Sequence, residues 1–204
     1  MKASGWMLAL ATTVSSPTLA NTVQIYAGLG LPLIFADLDQ ERKEKLGAKW
    51  AVDSGMMLHM NDWPLALGVF YEALLSSSYG PLPNSTAGLQ LSYYPMSKPF
   101  LSQNMDNRIS VMTSGLSVYG TAGTGLTFFN YANEDKEAVF GASAYHFRLT
   151  LTVEYPVTET LLLGFNSAYC TTFGGSNLSQ GASNPQPVGL TGYIFSIRGS
   201  YLVF

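Results

Sequence analysis

The stretch Phe140 to Tyr169, "FGASAYHFRLTLTVEYPVTETLLLGFNSAY", decides the fold. From Tyr145 onward the odd positions Phe147, Leu149, Leu151, Val153 and Tyr155 are apolar or aromatic, and the even positions His146, Arg148, Thr150, Thr152 and Glu154 are polar or charged. A period of two belongs to extended chain, whose side chains alternate between two faces. Two such strands joined by a tight turn at Pro156 make a hairpin. A soluble sheet with one wet face alternates too, but its strands run to about five or six residues, whereas strands that cross a bilayer need roughly nine to eleven. Length and aromatic ends favour the bilayer.

Composition agrees. Charged residues make up 11% of the chain, against about 25% in ordinary soluble domains, while hydrophobic residues reach 47%. No run of eighteen apolar residues occurs, so the apolar surface must come from alternation rather than from membrane helices. The 20 glycines, 12 tyrosines and 11 phenylalanines suit a closed sheet, with small residues inside and aromatics at the two interfaces. A net charge of -3 without a Lys/Arg cluster argues against a nucleic-acid surface. The one cysteine, Cys170, cannot form an intramolecular disulfide and has no Cys or His at metal-ligand spacing, so it reads as a small filler on a strand.

Working outward, residues 1–20 carry Lys2, a short apolar run from Trp6 to Ala11 and small residues up to Thr18-Leu19-Ala20, which is the pattern of a secretory signal cleaved before Asn21. Residues 21–204 are then one domain. Alternation recurs along Thr22 to Phe35, Ala48 to Met60, Leu65 to Leu75, Thr86 to Tyr94, Ile109 to Tyr131 and Gly189 to Phe204, which with the opening hairpin makes eight strands. Asp37 to Gly47, Ser76 to Ser85, Ala132 to Ala138 and Thr172 to Pro187 read as polar loops. Short turns at Asn61 and Pro156 face the other side. Two irregularities stand out. Pro95 to Arg108 is longer than the other connections on its side, and Ile109 and Val111 are out of phase with Leu116 and Val118, which suggests a bulge near Ser114-Gly115.

Eight strands with apolar residues outward and polar ones inward would fail in water. In lipid the arrangement is required, because no backbone group can stay unpaired in hydrocarbon and the sheet must close on itself. The expected fold is all-β: an eight-stranded antiparallel up-and-down transmembrane β-barrel. Its inward charges are Lys49, Arg148 and Arg198 against Asp53, Glu72 and Glu154, a candidate lumen network balanced three to three. Buried charges cost several kcal/mol unless paired or hydrated, so the set is either an ion-pair network filling a narrow interior or a gated path for a small solute.

At "SVYGTAGTGLTF" and "VEYPVTETLLLGFNSAY", together with the signal segment and the final phenylalanine, the chain resembles the small outer-membrane β-barrel superfamily of the opacity proteins and the barrel domain of outer membrane protein A. The resemblance implies residence in the bacterial outer membrane, contacts with its lipids and lipopolysaccharide, a C-terminal strand recognised by the assembly machinery, and a monomer. In that superfamily the terminal aromatic is in phase with the outward residues. Here Phe204 is one residue out of phase with Tyr201 and Val203, so either a bulge restores the register or the signal is read less strictly.

Some barrels of this size modify lipid A. A deacylase of that kind carries an outward His-x-Ser pair, but His146 precedes Phe147 and Arg148 and points inward. His59 points inward as well, and no loop offers the His and Asp-Ser set of the palmitoyl-transferring barrels. No catalytic, cofactor or metal set is expected. The function expected is non-enzymatic: envelope integrity or loop-mediated adhesion, with a narrow channel for small or hydrophobic solutes as the alternative.

Overall fold

The computed structural model describes residues 22–39, 42–45, 48–59, 63–76, 84–95, 101–105, 108–112, 115–132, 138–177 and 189–203. The expected signal segment and Phe204 lie outside the described residues. Eight long strands form the wall: β1 (Thr22–Asp39), β3 (Ala48–His59), β4 (Leu65–Ser76), β5 (Asn84–Tyr93), β8 (Ser117–Ala132), β9 (Ala138–Pro156), β10 (Leu161–Asn177) and β11 (Gly189–Val203). Each wall strand is hydrogen-bonded antiparallel to its neighbours, and β11 pairs with β1, so the sheet closes without a free edge.

The first and last described residues, Thr22 and Val203, lie at one end of the cylinder, called here the lower end. There the β9–β10 turn is tight: Val157 N–H donates to the Leu161 carbonyl at 2.8 Å, and Leu161 N–H donates to Thr158 Oγ1 at 3.0 Å. At the upper end β1 runs on past its ladder with β3, which stops at Gly30 opposite Ala51, and a short strand β2 (Arg42–Lys45) takes over that edge from Phe35. The expected loop Asp37 to Gly47 is therefore partly a hairpin that sets Asp37 opposite Lys43.

The two irregularities of the sequence have one explanation. Between β5 and β8 the chain builds a separate antiparallel hairpin, β6 (Leu101–Met105) with β7 (Arg108–Met112), at the lower end. Ile109 and Val111 belong to β7, and β8 begins only at Ser117. Their opposite phase comes from a different element and not from a bulge in a wall strand; Ser114 itself lies outside the described residues.

Alternation sets the two faces as lipid demands. Leu29, Leu31, Leu89, Leu151, Leu163 and Ile197 are exposed on the wall, an arrangement that water penalises by about 25 cal/mol for each Å² of apolar surface. Trp63, Tyr93, Tyr155 and Tyr201 ring the lower part of the wall, and Trp50, Phe128, Tyr145 and Phe173 the upper part. Such aromatic girdles sit where hydrocarbon meets headgroups.

The interior is filled in three layers. The upper layer is aliphatic, built from Ile34, Leu74, Leu190 and Ile194 with Ala51, Ala144, Ala168 and Cys170. The middle layer carries charge. The lower layer is aromatic, with Tyr94 stacked on Tyr119 at 4.4 Å and Tyr26, Met57 and Ala66 around them. Glycine makes room for the largest groups. Gly55 lies directly across from Tyr26, and Gly28 across from Asp53; a Cβ at the first would collide with the Tyr26 hydroxyl, and at the second with the Asp53 carboxylate. Large side chains over cross-strand glycines are how a narrow barrel fits its filling.

Candidate functional site

The middle layer gathers side chains from across the barrel. Asp53 on β3 is the hub. Its Oδ2 accepts from Arg148 Nη2 on β9 at 3.0 Å, from Arg198 Nη2 on β11 at 3.0 Å and from Asn166 Nδ2 on β10 at 3.4 Å. Glu72 on β4 lies 3.2 Å from Arg148 Nη1, an ion pair without the alignment of a hydrogen bond. All four charged side chains are about 97% buried. Charges this deep in a protein persist when they are paired and hydrogen-bonded.

Each arginine has further support. Arg198 lies over the Tyr26 ring, 3.8 Å from its centroid, and its Nη1 donates to the Tyr119 hydroxyl at 3.3 Å. Tyr26 in turn donates to Gln90 Oε1 at 3.1 Å. Arg148 Nε donates to Thr150 Oγ1 at 2.9 Å, and the guanidinium sits 5.6 Å above the Phe70 ring. The flat guanidinium suits both contacts, stacking on a ring while its edge donates.

Glu154 is placed differently from the expectation. It lies lower in the lumen, where Gln24 Nε2 donates to both of its oxygens at 3.0 Å and Ser200 Oγ donates to Oε1 at 2.7 Å. His59 Nε2 donates to Gln24 Oε1 at 2.9 Å, which holds the amide in that orientation. Amide and hydroxyl donors satisfy this carboxylate, and among the described residues it makes no ion pair.

Lys49 departs further. The β3–β4 register shifts between Ala48 and Trp50, so Lys49 sits at a bulge and is exposed. One extra residue in a strand turns its side chain out of the alternation. The inward set among the described residues is thus Asp53, Glu72 and Glu154 against Arg148 and Arg198, and not three against three. Gln24, Tyr26, Gln90 and Asn166 also sit at buried inward positions of their strands, but period two alone could not name their partners.

A second group shares Glu72 with the ion cluster. Glu72, His146 and Cys170, all buried, bring ligand-type atoms within 4.8 Å of one another beside a small cavity that Thr86, Thr127 and Leu190 also line. Sequence spacing hides it, since the three residues sit on β4, β9 and β10.

No protein-family model and no curated protein sequence matches the chain. Two solved structures superpose on nearly all of it. The N-terminal β-barrel domain of Pseudomonas aeruginosa OprF does so with a TM-score of 0.57 at 11% identity, covering 91% of this chain and 99% of that one. The fold is that of the small outer-membrane barrels. Neisserial surface protein A has a TM-score of 0.50 at 13% identity, over 87% of this chain and 95% of its own. The likeness is of the whole barrel fold and not of one segment, since about nine-tenths of the chain is covered in each case.

Proposed function

We propose that the chain is an integral protein of the bacterial outer membrane whose work is structural or done by its upper loops, in envelope integrity or adhesion, without catalysis. The observation that carries this reading is the filled lumen: an aliphatic layer, a locked ion cluster and an aromatic layer succeed one another along the axis. A stable plug of this kind suits a scaffold. The apolar wall with its two girdles supports contact with membrane lipids and lipopolysaccharide, and the β1–β11 seam supports insertion by the assembly machinery through the last strand.

Planar-bilayer recording of the folded protein tests the reading. A quiet baseline is expected, and discrete, reproducible conductance steps would overturn it. Incubation with labelled lipid A tests the enzyme class, where acyl release or transfer above a heat-killed control would count against the proposal. Recovery in outer-membrane fractions, with a heat-dependent shift in gel mobility, checks location and closure together.

The second reading, a narrow path for small or hydrophobic solutes, has one observation in its favour. The β1–β3 ladder ends at Gly30 and Ala51 while β1 continues upward, so the wall is thinner in hydrogen bonds there. Uptake of a hydrophobic dye into vesicles holding the protein distinguishes this reading, since a sealed scaffold leaves the uptake rate at that of empty vesicles.

A further inference from the structure

The chain has one cysteine and two histidines, and the fold brings that cysteine against one of the histidines and a carboxylate in the upper part of the lumen. Cys170 Sγ lies 3.9 Å from Glu72 Oε2, and a ring nitrogen of His146 falls within 4.8 Å of both. Ligand atoms around a tetrahedral zinc ion stand about 3.3–3.6 Å apart, given bonds of about 2.0–2.3 Å. Contraction by about 1.5 Å or less, within reach of side-chain rotation, would bring the three to that spacing.

The histidine carries the independent sign of a ligand. His146 is 3% exposed, and its Nε2 has no hydrogen-bond partner. Its Nδ1 is held by Thr127 Oγ1 at 3.2 Å, and Thr127 is held in turn by Thr86 Oγ1 at 2.7 Å. When Nδ1 donates its proton to Thr127, Nε2 presents a lone pair. Metal-bound imidazoles are set up this way, with the second nitrogen fixed by an outer partner. A buried imidazole nitrogen without a partner is otherwise a cost that a well-packed interior avoids.

Charge and space point the same way. The described interior holds three carboxylates against two arginines, and Arg148 meets Glu72 without hydrogen-bond alignment. A divalent cation that displaces the thiol proton of Cys170 would leave the interior neutral. The cavity lined by Glu72, His146 and Cys170 measures about 10 Å³, room for one small ion or one water after slight adjustment. Thiolate, imidazole and carboxylate together are a donor set for a borderline-soft ion, and unsuited to calcium or magnesium, which take oxygen alone.

We propose that Glu72, His146 and Cys170 form a binding site for one thiophilic divalent ion of the zinc class, closing the upper layer of the lumen as a structural clasp. The test uses untagged mature protein, stripped with chelator and refolded into detergent with Zn²⁺ or Co²⁺ present, so that a buried site is loaded during folding. After removal of free ion, elemental analysis should find one zinc per chain. Competition with a chromogenic chelator should show affinity weakened tenfold or more in Cys170→Ser, His146→Gln and Glu72→Gln, and unchanged in His59→Gln. Heat-dependent gel mobility checks that each variant has folded. Should Cys170→Ser not fold, the wild-type Co²⁺ form decides alone. With a single cysteine in the chain, a near-ultraviolet thiolate-to-cobalt band can come only from Cys170, and its absence at saturating Co²⁺ overturns the proposal. Zinc retained equally by folded Cys170→Ser, or no zinc retained at all, would overturn it as well.

Discussion

Arg198 rests over the Tyr26 ring, 3.8 Å from guanidinium carbon to ring centroid, while its Nη2 reaches Asp53 Oδ2 at 3.0 Å. The contact joins β11 to β1 and β3, across the strands that close the cylinder. Replacing Arg198 by methionine removes one of the two cations on Asp53, and the cost expected is about 3–5 kcal/mol, since a buried carboxylate is left half-neutralised. Urea titration of the barrel folded in lipid vesicles measures it, with the wall residues Trp50 and Trp63 as fluorescent reporters. Arg198→Lys should recover only part of the loss, because a lysine cannot both stack flat on the ring and donate from its edge. Full recovery would show that charge alone matters.

The two carboxylate environments separate in a second experiment. Asp53 depends on arginine, whereas Glu154 depends on Gln24 and Ser200. Glu154→Gln should therefore cost about 1–3 kcal/mol, the scale of imperfectly replaced hydrogen bonds, and Asp53→Asn about 3–5 kcal/mol. Equal losses in the same urea assay would mean that Glu154 shares the arginine field after all.

Gly55 provides a steric test. Any Cβ there would run into the Tyr26 hydroxyl and the Val69 carbonyl, and backbone cannot move aside as a flexible side chain can. Gly55→Val is expected to abolish the unheated, fast-migrating gel form. Gly199→Ala, where nothing lies within 4 Å of the added carbon, should keep it. Retention of the compact form by Gly55→Val would show that the Tyr26 layer is loosely packed.

On the wall, Leu151 is exposed midway between Tyr145 and Tyr155. Arginine at that position should destabilise by about 2–4 kcal/mol, the penalty for a cation near the bilayer midplane. Glu159→Arg in the lower turn should change stability little, because that side chain is exposed. A lipid-soluble thiol reagent should label Leu151→Cys in a Cys170→Ala background, and a membrane-impermeant one should not.

Much of this was legible in the amino acids because a strand has only two faces. Once Leu149 and Leu151 are assigned outward, Arg148, Thr150 and Glu154 must point inward. What alternation cannot carry is the count across an irregularity. Lys49 is lost from the lumen through one extra residue at the β3 bulge, and Ile109 to Val111 mislead because a small hairpin borrows the same rhythm. Nor can alternation report height around the ring. Gln24 meets Glu154 across 130 residues, and Cys170 meets Glu72 across 98, pairings settled by strand register and tilt.

The seam between the first and last wall strands has a further consequence. Val23 to Asp37 on β1 face Val203 to Gly189 on β11 without a register shift, so Val23 and Val203 lie side by side. A peptide linker could bridge them, and the chain could be reopened within residues 133–137. Such a circular permutant should reach the same cylinder, because closure is encoded in which edges match and not in which strand is synthesised first.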